Sequence, residues 1–272
     1  MPELPEVQTV VNDLQIILGD TIISFWSDFE KAIKSKDFEK NILGKKIIDI
    51  KRISKNIVLE LENNSHLMIH LKMTGKILTN KNFKPARTSE KHLHHVFYLK
   101  KNGVLEFHDI RKFATLELLT NEKLLEIVAS KGMDPFSADF DLANFEKIVA
   151  SRKNKNVKSL LMDQKAISGI GNIYASEIPF SAKINPLRKN STLTKKEIAA
   201  LYNSTIKILT KAILLRGTSI SDYRDANGKR GSFQNELMVY GKVGDKCKKC
   251  DTIIQKAIVE QRSTFYCPTC QH

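Results

Sequence analysis

The four cysteines are the residues whose spacing most directly predicts chemistry. They form two Cys-x2-Cys pairs separated by sixteen residues: Cys247, Cys250, Cys267 and Cys270. Four thiolates at this spacing can surround one Zn2+ ion in a tetrahedron, which leaves no open position for a substrate. We therefore predict one structural zinc ion. It would order a hairpin, with strands at Ile253–Ile258 and Phe265–Tyr266, that points Arg262 outward.

The N-terminus is the second segment that could do chemistry, because Pro2 directly follows Met1 and precedes Glu3. Removal of the methionine would leave a secondary amine. An α-amino group titrates near pH ~8, so a useful fraction is uncharged at neutral pH and can attack carbon. The run Pro2–Glu6 is also typical of a helix start. Taken alone, the segment leaves both interpretations open, and the helix start is the simpler one.

The charge balance indicates which class of partner this protein could bind. Lys and Arg total 44 against 30 Asp and Glu, a formal net charge of +14. Nucleic acid is the commonest polyanion that such a protein binds, although ordinary solvated lysines explain the excess equally well. The longest apolar runs, such as Ala212–Leu215, are too short to cross a bilayer, and no signal peptide is visible. We therefore expect a cytoplasmic protein without a membrane association.

The elements that must position these residues change in type along the chain. Helical spacing of apolar residues predicts a first helix over 6–18. Short β-branched runs then predict antiparallel strands in a sandwich or barrel. These runs are Thr21–Phe25, Lys46–Ile50, Ile57–Leu61, His66–Met73, His95–Leu99, Val104–His108 and Thr115–Leu119.

After Asn121 the spacing becomes helical again. The predicted helices cover 121–131, 142–152, 156–163 and 194–215. Gly132–Pro135 is a plausible linker. The segment after Gly217 is polar and rich in glycine, which predicts a long surface loop that is functional or mobile.

Seven motifs occur in one order along the chain. They are Met1–Val7, His70–Gly75, Glu90–His92, Asp109–Phe113, Gly169–Glu177, Gln234–Gly241 and the cysteine pairs. Together they resemble the bacterial formamidopyrimidine-DNA glycosylases over essentially the whole chain. The resemblance implies an α+β multidomain fold with three parts. These are an N-terminal β-sandwich with flanking helices at 1–120, a helix–two-turn–helix domain at 133–232 with a lesion-capping loop at 218–233, and a zinc finger at 238–272.

The resemblance also implies a mechanism. Pro2 would attack C1′ of the damaged nucleoside and form a Schiff base, with Glu3 as the general acid that opens the sugar. Lys55 matches the family's β-elimination lysine. Arg262 matches the δ-elimination arginine, which we interpret as a clamp on the departing phosphate, since a guanidinium is a poor proton donor.

The implied partner is damaged double-stranded DNA, bound by a monomer. Met73, Arg111 and Phe113 match the positions that fill the gap left by the flipped nucleotide. The implied phosphate contacts are His92, Lys153, Lys158 and Asn172. Where the family commonly reads Lys-His-Asp-His-Val, this chain has Lys91-His92-Leu93-His94-His95-Val96, so His94 remains an alternative to His92.

Three alternatives remain. One is the sister glycosylase for oxidised pyrimidines, which Leu4 and Met73 disfavour. Another is a non-catalytic protein that binds damaged DNA on the same scaffold, which the joint presence of four residues disfavours: Pro2, Glu3, Lys55 and Arg262. The third is a plain basic zinc-ribbon protein that binds DNA, which would not explain the N-terminal motif.

Overall fold

The computed structural model describes residues 1–82 and 90–272, which divide into two compact units. The first unit consists of Met1–Ala129 and Leu215–Gln234, and the second of Ser130–Leu214 and Asn235–His272. Within the described residues, no helix combines the length and the apolar character that crossing a bilayer requires.

The first unit begins with helix α1, Leu4–Leu14, which a short 3-10 turn extends to Ile17. Its buried residues Val7, Val10 and Leu14 follow helical spacing, so this stripe packs into the core. The predicted helix is confirmed, with a start at Leu4 rather than residue 6. Two further helices flank the sheets: α2 at Phe38–Ile42, which the sequence pattern did not predict, and α3 at Asn121–Ala129.

Two four-stranded antiparallel sheets form the body of the first unit. The first sheet has the order β1-β6-β7-β5, with strands Ile22–Ser27, Leu93–Leu99, Val104–Asp109 and Gly75–Asn80. The second has the order β2-β3-β4-β8, with strands Ile47–Ile53, Asn56–Leu61, Ser65–His70 and Thr115–Thr120. Apolar side chains of both sheets and of α1 share one buried cluster. The predicted sandwich is therefore confirmed.

One strand boundary differs from the sequence prediction. The run His66–Met73 was expected to be a single strand, but β4 ends at His70 and a new strand, β5, begins at Gly75. The chain leaves one sheet here and enters the other, and Lys72 takes a positive φ of 51° in the turn. A Cβ on Gly75 would lie 2.5 Å from the Leu71 carbonyl oxygen, so the turn requires glycine.

The loop 218–233 is held within the first unit rather than free at the surface. Thr218 N–H donates to Glu6 at 2.7 Å, and Thr79 N–H donates to the Ala226 carbonyl at 2.9 Å. Ser219 and Asp225 are fully buried. The polar composition suggested exposure, but these polar groups bond one another and the sandwich. The sequence placed this loop in a domain spanning 133–232, and those domain boundaries remain a prediction.

The second unit is helical with a terminal hairpin. Its helices are α4 at Leu142–Ser151, α5 at Val157–Met162, α6 at Tyr174–Ala182 and α7 at Lys195–Leu214. Asp141 and Asn156 cap α4 and α5, since each side chain accepts a backbone N–H of the first turn at 2.7 and 2.8 Å. The hairpin consists of β9 at Gln255–Val259 and β10 at Arg262–Tyr266. The predicted helices are confirmed to within about two residues.

Candidate functional site

The first part of the site lies where α1 begins. Pro2 is buried, and Glu3 occupies the N-cap position of the helix with 3% of its surface exposed. The backbone N–H of Glu3 donates to Glu6 Oε2 at 2.8 Å, while Glu6 Oε1 accepts the N–H of Thr218. Glu6 therefore fixes the backbone at the predicted nucleophile and, at the same time, the start of the loop 218–233.

Lys55 lies in the tight turn between β2 and β3. Ser54 has a positive φ of 57°, and its carbonyl accepts a hydrogen bond from Arg52 Nη1 at 3.0 Å. Lys55 itself is only 7% exposed. The side-chain amide of Asn56 donates to the Ile53 carbonyl at 3.1 Å and so closes the same turn.

Three predicted side chains meet at one end of the sandwich. Met73 lies in the β4–β5 turn, and Arg111 and Phe113 lie in the β7–β8 turn. The Arg111 guanidinium carbon is 4.8 Å from the centre of the Phe113 ring, and Arg111 Nη1 is 3.2 Å from Met73 Sδ. Met73 is 45% exposed and Phe113 52% exposed. Both turns cross from one sheet to the other, which brings residues distant in sequence into an exposed cluster.

The two candidate histidines lie in different surroundings. His92 is partly exposed in the turn before β6, with a positive φ of 72°. His94 is 5% exposed and bonds Asp28 at 2.8 Å through Nδ1. The accessible position favours His92 over His94 as the side chain that could reach a phosphate.

In the second unit, Asn172 lies in the turn that leads into α6. Its carbonyl accepts from the ammonium of Lys158 and from the Ser176 hydroxyl, at 2.9 and 3.1 Å. Lys158 is fully buried and also donates to Ser176 at 2.9 Å. A direct phosphate contact by Lys158, as the sequence predicts, would require its surroundings to open. Lys153 follows α4 and is exposed.

The four cysteines converge as their spacing predicts. Their sulfur atoms all lie within 4.8 Å of one another, and the closest pair, Cys250 and Cys270, is 3.3 Å apart. Zn–S bonds of about 2.3 Å give a tetrahedron with edges of about 3.8 Å, so the donor set fits zinc. Backbone N–H groups of Lys249 and Cys270 each point at a sulfur at 3.4 Å, which stabilises thiolate charge.

The hairpin that follows the first cysteine pair presents Arg262. Glu260 and Gln261 both have positive φ, 46° and 61°, and form a two-residue turn. Arg262 is the first residue of β10, pairs with Val259, and is exposed. The second strand was expected at Phe265–Tyr266 but begins at Arg262, because Arg262 already pairs across the hairpin.

Models of known protein families match nearly the whole chain. Residues 1–116 match the formamidopyrimidine-DNA glycosylase N-terminal domain, 131–224 the H2TH domain of that enzyme, and 244–272 a zinc finger found in FPG and IleRS. A formamidopyrimidine-DNA glycosylase of Streptococcus mutans is 39% identical over 276 residues, which covers 100% of this chain and 99% of the relative. The chain belongs to the formamidopyrimidine-DNA glycosylase family. A Herpetosiphon aurantiacus relative of the same name is 37% identical, with both chains fully covered.

Solved structures of this family share the fold. A Lactococcus lactis FPG variant in complex with Fapy-dG-containing DNA has a TM-score of 0.90 and 37% identity, with both chains fully covered. The Lactococcus lactis Fpg in complex with abasic-site DNA has a TM-score of 0.90 and 36% identity, with 99% of each chain covered. The predicted α+β fold, with its zinc finger and structural zinc ion, is confirmed by these family matches and the cysteine cluster.

Sequence reasoning missed three buried carboxylates that organise the family's site elements. They are Glu6, Asp109 and Glu177. Glu177 on α6 accepts the N–H groups of Met238, Val239 and Tyr240 at 2.8–3.0 Å and so attaches the zinc-finger segment to that helix. Burial raises the pKa of Glu177. Each of the three lies inside a quoted motif, but only the fold reveals which donors it meets.

Proposed function

We propose that this chain is a base-excision repair enzyme that removes oxidised purines from duplex DNA and then cuts the abasic site. The observation that carries the proposal is the position of Pro2 and Glu3 at the buried start of α1, within the residues that match the family's N-terminal domain. Solved relatives bound to Fapy-dG and abasic-site DNA support the same substrate class. Because the relatives are bacterial and the proposed substrate is DNA, we expect the enzyme to act in a bacterial cytoplasm.

Pro2 would be the nucleophile once Met1 is removed. Its secondary amine forms a bond to C1′ and the C–N glycosidic bond breaks. The base leaves with the bonding electron pair and takes up the proton that the amine nitrogen loses. Glu3 would protonate the sugar ring oxygen, so that the ring opens and an iminium ion links enzyme and DNA. A secondary amine suits this step because its iminium is necessarily cationic and acidifies the C2′ proton.

Strand cleavage would follow from that cation. Loss of the C2′ proton breaks the C3′–O bond. Loss of the C4′ proton from the resulting conjugated iminium then breaks the C5′–O bond, so both phosphates leave. Lys55, buried in the β2–β3 turn, would take part in the transfer of the C2′ proton during the first elimination. Arg262 would neutralise the phosphate that departs in the second, because a guanidinium stays charged and grips phosphate oxygens.

The base must leave the duplex before C1′ can be reached. Met73 and Phe113 would replace the lost stacking, and Arg111 would bond the cytosine left behind. Their mutual contacts and exposure at one end of the sandwich support this role. We also propose phosphate contacts by His92, Lys153 and Asn172, with Lys158 acting through the Asn172 carbonyl that it holds.

The test is borohydride trapping on a duplex with 8-oxoguanine opposite cytosine, followed by peptide mapping. We expect a covalent adduct at Pro2. A Pro2→Gly variant should retain some trapping through a primary amine but much less excision, whereas an uncleavable N-terminal tag should abolish both. An adduct that maps to a lysine, or full lyase activity with a blocked terminus, would reject the Pro2 assignment.

One observation supports a second substrate class, oxidised pyrimidines. A solved Lactococcus lactis Fpg, 37% identical to this chain, is bound to DNA that contains an oxidised pyrimidine. Excision of thymine glycol should therefore be compared with excision of 8-oxoguanine, and we expect 8-oxoguanine to be preferred. Binding to either duplex without any trapped adduct would instead favour the non-catalytic alternative.

A further inference from the structure

Asp109 is the last residue of β7 and lies beneath the exposed cluster of Met73, Arg111 and Phe113. It is 3% exposed. Its Oδ2 accepts the backbone N–H groups of Phe113 and Ala114, both at 2.8 Å. The β7–β8 turn therefore folds back onto the carboxylate of the residue that starts it.

The second oxygen of Asp109 reaches a different turn. Oδ1 accepts the hydroxyl of Thr74 at 2.5 Å and the N–H of Arg111 at 3.2 Å. The Thr74 oxygen also accepts from Arg111 N–H at 3.1 Å. Thr74 immediately follows Met73, so one carboxylate joins the turn that carries Met73 to the turn that carries Arg111 and Phe113.

The backbone of Asp109 makes a third connection. Its N–H donates to the carbonyl of His92 at 2.9 Å. Three turns that carry predicted DNA-contacting residues therefore meet at Asp109. Thr74 Oγ1 and Arg111 Nη1 also link the two turns, but of these three side chains only that of Asp109 bonds both Thr74 and Phe113.

We propose that Asp109 is a positioning residue that locks the turns of Met73, Arg111 and Phe113 into one arrangement, so that the three side chains enter the duplex as a unit. The inference rests on the proposed function, because it assumes that these side chains fill the gap left by a flipped nucleotide. Both Asp109 oxygens must accept at once. An arrangement of this kind sets where the Arg111 guanidinium stands opposite the orphaned base, and hence how well it distinguishes cytosine.

Asparagine would replace Asp109 only in part. An amide has one accepting oxygen. Turned one way, it points its NH2 group at the N–H groups of Phe113 and Ala114 and releases them. Turned the other way, it can donate to the Thr74 hydroxyl, but its NH2 group then faces the N–H of Arg111. The variant Asp109→Asn should therefore loosen the connection between the two turns.

The experiment measures binding to duplexes that contain a tetrahydrofuran site, which has no base to release, opposite either cytosine or adenine. We expect the parent to prefer cytosine and Asp109→Asn to lose roughly tenfold of that preference, which is within the range that one well-placed guanidinium provides. Thr74→Val, which breaks only the connection to the Met73 turn, should lose a smaller part. Thr74→Ser, which keeps the hydroxyl, should restore it.

Asp20 provides a matched control in the same unit. It is 1% exposed, and its carboxylate also accepts backbone N–H groups, those of Thr21, Lys101 and Asn102. It holds the β6–β7 turn, at the opposite end of β7 from Asp109. Asp20→Asn should lower the melting temperature about as much as Asp109→Asn while leaving the preference for cytosine intact.

The outcomes distinguish a positioning role of Asp109 from a merely stabilising one. Loss of preference in Asp109→Asn and Thr74→Val but not in Asp20→Asn supports the inference. Equal loss in all three variants, in step with their melting temperatures, would reduce Asp109 to an ordinary stabilising residue and overturn it, as would a parent with no preference. If the parent traps no adduct with 8-oxoguanine DNA, the proposed enzyme activity fails, but the binding preference still tests Asp109.

Discussion

Arg216 at the base of the loop 218–233 offers the sharpest test of how this loop is held. Its Nη2 contacts Asp13 at 2.6 Å and Asp225 at 2.5 Å, and its Nε contacts Asp225 at 2.8 Å. The Asp225 side chain is fully buried and that of Asp13 is 10% exposed. Hydrogen bonds from Arg216, first to Asp13 and then to Asp225, raise the pKa of the guanidinium further above its usual range. Arg216→Met would leave two shielded carboxylates facing each other without a cation.

The expected loss of stability follows from these contacts. Hydrogen bonds to charged groups contribute about 1.5–3 kcal/mol each, and breaking a buried ion pair costs about 3–5 kcal/mol. The Arg216 side chain is 41% exposed, so water screens part of this interaction. We therefore expect Arg216→Met to lower the free energy of unfolding by about 2–3 kcal/mol, which lowers the melting temperature of the first unit by roughly 5–10 °C.

The assay is thermal unfolding at neutral pH, combined with hydrogen exchange of the amides in 218–233. Those amides should exchange faster in Arg216→Met. Adding Asp13→Asn should recover part of the loss, because it removes one of the two facing charges. Lys51→Met is the control, since it breaks the more exposed Lys51–Glu60 pair, whose side chains are 39% and 25% exposed, and should change little. The reasoning would be refuted if Arg216→Met had the melting temperature of the parent, or if the double variant were no more stable than Arg216→Met.

Three further predictions concern pH, metal and backbone. Burial, assisted by His94, lowers the pKa of His95 from 6.5 to about 4. Between these pH values the unfolded chain binds a proton that the folded chain does not, so the free energy of unfolding should fall by about 3 kcal/mol as pH drops from 6.5 to 4. In urea titrations, His95→Phe should flatten that dependence on pH. Cys247→Ser should lose bound zinc and weaken binding to lesion DNA roughly tenfold, as measured by metal analysis and anisotropy, while unchanged affinity would show that the finger does not support Arg262. A Cβ on Gly231 would lie 2.2 Å from the Gly217 carbonyl oxygen, so Gly231→Ala should cost about 1–3 kcal/mol in calorimetry; an equal melting temperature would mean that the loop backbone lies elsewhere.

Much of the architecture could be predicted from local pattern. Helical spacing predicted α1 and, in the second unit, α4, α5 and α7 but not α6, and β-branched runs predicted seven of the eight strands described in the first unit. The missed strand, β5, is continuous in composition with β4. Its boundary is a change of sheet at Lys72 and Gly75, which depends on where the second sheet lies rather than on any residue's own preference.

The sequence by itself determined the chemistry that this chain can carry. The covalent structure alone supplies the thiols of two Cys-x2-Cys pairs and the proline at position 2. The chemistry they predict depends on short spacings along the chain, which local geometry fixes. Tertiary structure decided which polar groups meet. Lys158 is a cation in a lysine-rich chain until the fold buries it against the Asn172 carbonyl. Asp109 is one motif residue until two turns, 35 residues apart in sequence, converge on its oxygens. Contacts of that kind arise from long-range packing, because no local preference specifies a partner that distant.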